Sequence, residues 1–137
     1  MTVKRDTAPS ESALKLAKLA ARVAAENRAK DVVVLDLRDQ VEWVDYFVIA
    51  TGSSSRQLRA ISDEIEAEAK SQLADHRRGS EGYGDSNWML LDFGDVVVHL
   101  FSKEAREHYA IEDLWGRAQR VDLTELLRGV GPIAMAD

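Results

Sequence analysis

The turn Gly52-Ser53 is followed along the chain by an acidic pair, Glu64 and Glu66. Two carboxylates placed after such a turn have the composition needed to hold a divalent metal against the phosphates of a nucleotide. Nucleotidyl transfer is therefore the sharpest enzymatic reading, and its difficulty is geometric. Glu64 and Glu66 fall in a segment of helical periodicity, where side chains advance by about 100° per residue, so the two carboxylates diverge by about 200°. One metal is not readily shared by such a pair, and solvated helical glutamates account for both residues. A metal-dependent nucleotidyltransferase, or a nucleotide-binding protein, stays as the alternative function.

Other candidate chemistry is weaker. Gly52 to Ser55 precedes a helical pattern, and free amides at a helix start favour anions. The loop has one glycine and no phosphate-loop spacing, so a structural cap is favoured, while Arg56 keeps an anion site open. Glu104 and His108 lie one helical turn apart, with His99 on a preceding strand-like run. No His-Glu-x-x-His motif is present, and a histidine beside Val97 and Phe101 is more simply a hydrogen-bonded structural group than a metal ligand. No serine has an identifiable histidine and aspartate around it. These readings leave no catalytic residue, no metal and no cofactor. What remains is a polar loop with Glu81 and Tyr83, then Trp88, the turn from Asp92 to Asp95, Tyr109, and Leu114-Trp115. Aromatic rings beside carboxylates suit an interface with a basic protein. Trp88 and Trp115 fit a core position equally well.

The elements that must position these residues are legible from spacing. Residues 1–10 form a polar tail, and Ser10 is a candidate N-cap for a helix to about Asn27, with Leu14, Ala17, Ala21 and Ala24 on one face. Val32 to Leu37 is a β-branched run without polar alternation, which predicts a strand covered on both faces. Asp45 to Thr51 is a second such run, and the two predict a hairpin. Ser54 and Gln57 match a capping box, opening a helix to about Ala74 along Leu58, Ile61, Ile65, Ala69 and Leu73. Asp75 to Asn87 reads as an exposed loop with a short strand near Arg78. Trp88 to Asp92 and Val96 to Phe101, joined at Phe93-Gly94-Asp95, predict a second hairpin. A short helix from Lys103 to Ala110 and weaker signals around Leu123 to Leu127 follow. Hairpins separated by helices imply an α/β fold, a mixed sheet with helices packed on it.

Composition narrows the functions. The chain has 137 residues, 45% of them hydrophobic, enough for one core but not for two ordinary domains. Residues 11–123 are expected to form the domain, with 124–137 a C-terminal tail. With 24 acidic and 18 basic residues the net charge is −6, which disfavours naked phosphate backbones and favours a basic protein partner. No cysteine is present, which excludes disulfides and thiolate chemistry. The apolar runs are far below the roughly 20 residues that span a bilayer, and the start lacks the apolar core of a targeting peptide. The expectation is a soluble cytoplasmic protein with no membrane partner.

Several ordered pieces resemble the ribosomal silencing factor family, also called RsfS or iojap-like. They are Val44 to Gly52, Ser54 to Gln57 with Ala60, Glu81-Gly82, the run Trp88 to Phe101, and then Arg106, Tyr109, Glu112, Leu114, Trp115 and Gly116. The resemblance spans roughly Ala13 to Leu123. It implies a nucleotidyltransferase-like fold without the catalytic apparatus. It also implies binding to the large ribosomal subunit through large-subunit ribosomal protein fourteen, with little direct nucleic-acid contact. Subunit joining is then hindered and translation repressed when nutrients are scarce, and homodimers form in isolation. Carried onto this chain, the resemblance places Glu81, Gly82, Trp88, Asp92, Gly94, Asp95, His99, Tyr109, Leu114 and Trp115 at or near the contact surface.

Overall fold

A computed structural model describes residues 7–74, 79–81, 87–128 and 130. Helix α1 spans Thr7–Glu26, followed by strands β1 (Lys30–Asp36) and β2 (Tyr46–Gly52), and then helix α2 (Ser55–Leu73). Strands β3 (Gly79–Glu81), β4 (Trp88–Asp92) and β5 (Val96–Ser102) come next, then α3 (Lys103–Tyr109), α4 (Ile111–Leu114), β6 (Gln119–Arg120) and α5 (Thr124–Leu127). The six strands form one mixed sheet in the order β3-β4-β5-β2-β1-β6. Both expected hairpins are present, since β1 pairs antiparallel with β2 and β4 with β5. A parallel ladder joins them, with Tyr46 opposite Val96 and Gly52 opposite Ser102. All seven residues of β2 are buried, as its central place in the sheet requires.

Alternation along the strands separates two apolar faces. Tyr46, Val48, Ala50, Leu91, Val96, Val98 and Leu100 point to the face covered by α1 and α2. The alanines of α1, including fully buried Ala17, Ala20, Ala21 and Ala24, let that helix lie close to both the sheet and α2. Phe47, Ile49, Val97 and Phe101 point to the other face, where among the described residues the covering helices are the short α3 and α4, joined by Leu37, Val41, Val44 and Trp115 from the connections.

Three local details add to the sequence reading. Helix α1 begins at Thr7, so Pro9 sits in the first turn, where its missing N–H has no helical acceptor to lose. At the start of α2, Ser54 Oγ accepts from the Gln57 N–H at 3.1 Å, but Gln57 Oε1 takes the N–H and hydroxyl of Ser53, one residue before the cap. Packing also continues past Leu123, because Leu126 lies against the core and Val130 is buried. Among the described residues, no helix is long and apolar enough to cross a membrane.

Gly52 is required by close approach. A Cβ there would lie 2.5 Å from Leu58 Cδ2, and Leu58 is itself a buried core residue of α2's first turn. Gly52→Ala is expected to destabilise the fold by about 1–3 kcal/mol, the usual range for an overpacked core. Urea unfolding of the variant reads this directly, and an unchanged midpoint would show that Leu58 has a second place to go.

Candidate functional site

The thinly covered face of the sheet carries a continuous run of rings. Trp88 on β4 pairs with Phe101 on β5, and their rings lie 5.0 Å apart. Tyr109, the last residue of α3, closes on Trp88 at 4.7 Å. His99, two residues before Phe101 and so on the same face, meets Phe47 edge-on at 4.5 Å. Phe47 in turn meets Trp115 at 6.0 Å and Trp43 at 6.3 Å. Edge and tilted contacts of this kind are favourable ring geometries. Among the described residues the exposed large apolar side chains are Trp43, Tyr109 and Leu114, at 64%, 51% and 75%, and the first two lie along this run.

His99 lies beneath the surface rather than on it, at 3% exposure. Its Nδ1 accepts from the Trp88 indole N–H at 3.2 Å, which places the neutral ring's proton on Nε2. Burial lowers its pKa to about 4, so the imidazole is uncharged at neutral pH. Its position supports Trp88 from below. Trp88 and Trp115 are both half-buried, with one part of each ring in the core and another at the face.

The remaining expected residues occupy other places. Asp92 Oδ1 accepts from the Gly94 N–H at 2.7 Å, and Gly94 has φ of 94°, a conformation that favours glycine. The turn therefore depends on both residues. Asp95 is exposed, and its carbonyl accepts from the N–H groups of Asp45 and Tyr46. This acidic turn lies at the opposite end of β4 and β5 from Trp88 and Tyr109. Leu114 is on α4. Glu81 lies in β3 opposite Leu90, and Gly82 lies outside the described residues.

Arg106 fixes the helices that carry Tyr109 and Leu114. Its guanidinium grips Glu112 with two bonds of 3.0 and 2.8 Å, and donates to Thr51 Oγ1 at 2.8 Å and to the Asp31 carbonyl at 2.6 Å. This hydrogen bonding holds the Glu112 carboxyl below its ordinary pKa. Ala110, in the left-handed conformation, makes the bend between α3 and α4.

The enzymatic candidates are not assembled in the same way. Glu64 and Glu66 lie in α2 as expected, and Glu64 Oε1 accepts from Asn27 Nδ2 at 3.0 Å. At the start of α2 the Gln57 N–H is met by Ser54 Oγ and the preceding Ser53 N–H by Gln57 Oε1, which is the arrangement of a structural cap. Among the described residues no three histidine or carboxylate side chains are grouped as a metal site.

Residues 10–133 match the family described as "Ribosomal silencing factor during starvation". The ribosomal silencing factor RsfS of Bacillus subtilis is 40% identical over 106 residues, covering 77% of this chain and 89% of that protein. The chain belongs to the ribosomal silencing factor family. Another relative, mouse "Mitochondrial assembly of ribosomal large subunit protein 1", is 34% identical over 92 residues, covering 66% of this chain and 40% of its own length. A crystal structure of a Chromobacterium violaceum protein superposes with a TM-score of 0.72 at 34% identity, covering 76% of this chain and 86% of that one. The resemblance read from the motifs and the mixed α/β architecture are both confirmed.

Trp43 and Phe47 were not singled out from sequence as members of a ribosomal silencing factor's aromatic face. Phe47 lies inside an apolar run that reads as core, and Trp43 follows a polar stretch that reads as a connection. The one available signal was a large aromatic beside Glu42 at the end of the polar stretch that begins at Arg38.

Proposed function

We propose that this chain binds the large ribosomal subunit through large-subunit ribosomal protein fourteen, and thereby blocks pairing with the small subunit as a non-catalytic repressor of translation. The observation that carries this reading is the thinly covered sheet face, where exposed Tyr109 packs on half-buried Trp88 and Trp115 packs on Phe47. Amphipathic rings backed by a rigid strand are the usual anchors of a protein interface. The net charge of −6 suits a basic ribosomal protein better than ribosomal RNA, whose phosphates would be repelled. The divergence of Glu64 and Glu66 on α2 speaks for a binding protein over a transferase. The names of the relatives support a ribosomal role. On this reading Trp88, Asp92, Asp95, Tyr109, Leu114 and Trp115 make or frame the contact, with Gly94 shaping the acidic turn and His99 supporting Trp88. Glu81, on the edge strand β3, extends it, and Gly82 is proposed as a contact beside it in the chain.

Purified protein is expected to co-sediment with isolated large subunits, to leave small subunits unbound, and to reduce joining when both are mixed. Tyr109→Ala should weaken large-subunit binding about thirtyfold, the equivalent of about 2 kcal/mol for a truncated hot spot. Thermal unfolding should stay near that of the wild type, since the ring is half exposed. Sedimentation with the small subunit alone would reverse the proposal.

A further inference from the structure

The connection between β1 and β2 presents Trp43 to solvent although the loop around it is held in place. Val44 is fully buried, and Val41 packs on the same cluster as Phe47. The Leu37 N–H donates to the Asp45 carbonyl at 2.9 Å, and the Gln40 and Val41 N–H groups donate to the Leu37 carbonyl at 2.9 and 3.1 Å. An indole left 64% exposed between fixed neighbours is a preorganised apolar surface, a feature associated with binding sites. Its ring contact with Phe47 at 6.3 Å joins it to the aromatic face.

The surroundings specify the partner's charge. Asp39 and Glu42 are exposed in the same connection. Exposed Asp95 belongs to the turn whose carbonyl accepts from Asp45 at 2.8 Å, which brings that turn to the same end of the sheet. Arg38 is the only cation between Leu37 and Tyr46, and its guanidinium is bound to Asp36 at 2.7 Å. A second copy of the chain would set acidic rim against acidic rim, which is repulsive. A basic protein surface with an apolar socket is the complementary occupant.

We propose that Trp43 is a second anchor for the large-subunit protein, inserted into an apolar pocket bordered by lysine or arginine, at the end of the sheet away from Tyr109. This rests on the docking of the aromatic face proposed above. Phe47 pairs with Val97 and Trp88 with Phe101. The supports of the two anchors are therefore four positions apart on β5, about 13 Å at strand rise. That separation fits within one interface of ordinary size, which buries about 800 Å² per partner.

The test measures affinity for isolated large subunits, and for the isolated ribosomal protein, with Trp43→Ala and Tyr109→Ala in parallel and thermal unfolding of each. Trp43→Ala should weaken binding tenfold or more, and Glu42→Lys should slow association at low salt. Unchanged affinity in Trp43→Ala beside a loss in Tyr109→Ala would overturn this inference and leave the docking proposal standing. Unchanged affinity in both would overturn the two together. Self-association lost in Trp43→Ala while subunit binding persists would assign the indole to a second copy and overturn the inference. Should Trp43→Ala fail to fold, wild-type protein carrying 5-fluorotryptophan at its three tryptophans decides the matter. The Trp43 resonance, identified by its loss in Trp43→Phe, should shift when the large-subunit protein is added, and an unshifted resonance overturns the inference.

Discussion

Arg106→Leu is expected to lower the unfolding free energy by about 3 kcal/mol, because one side chain satisfies three groups far apart in sequence. The Arg106 and Glu112 side chains are 11% and 22% exposed, so water replaces the lost donors only in part. Removing the guanidinium leaves the Glu112 carboxylate, among the described residues, with Arg120 at 3.6 Å, and leaves the Thr51 hydroxyl and the Asp31 carbonyl without that donor. Asp31 has φ of 52°, a conformation that surrounding bonds must hold in place. Arg106→Lys should recover little, since an ammonium lacks the planar fork that grips the carboxylate. The double variant Arg106→Leu with Glu112→Leu should recover part of the loss, because no partly buried carboxylate is then left unpaired. Urea unfolding at neutral pH is the measurement, and a loss below about 1 kcal/mol for Arg106→Leu would show the network to be dispensable. Glu112 has a depressed folded pKa, so its contribution is present above the ordinary carboxylate range and fades as pH falls through the folded value. The gap between wild type and Arg106→Leu should narrow accordingly in acid.

The contrast between Arg106 and its neighbours shows what sequence can and cannot reveal. Leu58, Ile61 and Ile65 announce a helix because burial against one surface imposes a period of 3.6, and the β4–β5 hairpin is announced by Phe93-Gly94-Asp95 between apolar runs. Such signals are local. Arg106 bonds residues 75 and 55 positions away, and no local period records that pairing. The parallel ladder between β2 and β5 was hidden for the same reason, since each strand's apolar run shows only that it is buried. Motif resemblance supplied the family and the aromatic positions, while the depth of His99 and the exposure of Trp43 depend on how thinly α3 and α4 cover the sheet. Covering helices are short here, and their four- and seven-residue lengths carry too few turns to show an amphipathic period.

Acidification should destabilise the protein through His99 before the carboxylates take over. The folded pKa is lowered by burial to about 4, against an ordinary value of 6.5. Below pH 6.5 the unfolded chain binds a proton that the folded protein does not, so stability falls with pH until the folded imidazole also titrates near 4. Two and a half pKa units correspond to about 3 kcal/mol across that window. The ring gains nothing from protonation in place. Its Nδ1 already accepts from Trp88, and a second N–H there would meet another donor. The surroundings are Phe47, Trp88 and Phe101, with no carboxylate among these rings to compensate the charge. His99→Gln removes the titrating group and keeps a carbonyl able to accept from the indole. Unfolding free energies of the two proteins should therefore converge as pH falls from 7 to 4, with Glu112 and the other carboxylates common to both. Parallel pH profiles for wild type and His99→Gln would remove His99 as the source of the acid sensitivity. Convergence, accompanied in the wild type by altered tryptophan emission as Trp88 loses its acceptor, would show that the aromatic face is held together by a neutral histidine.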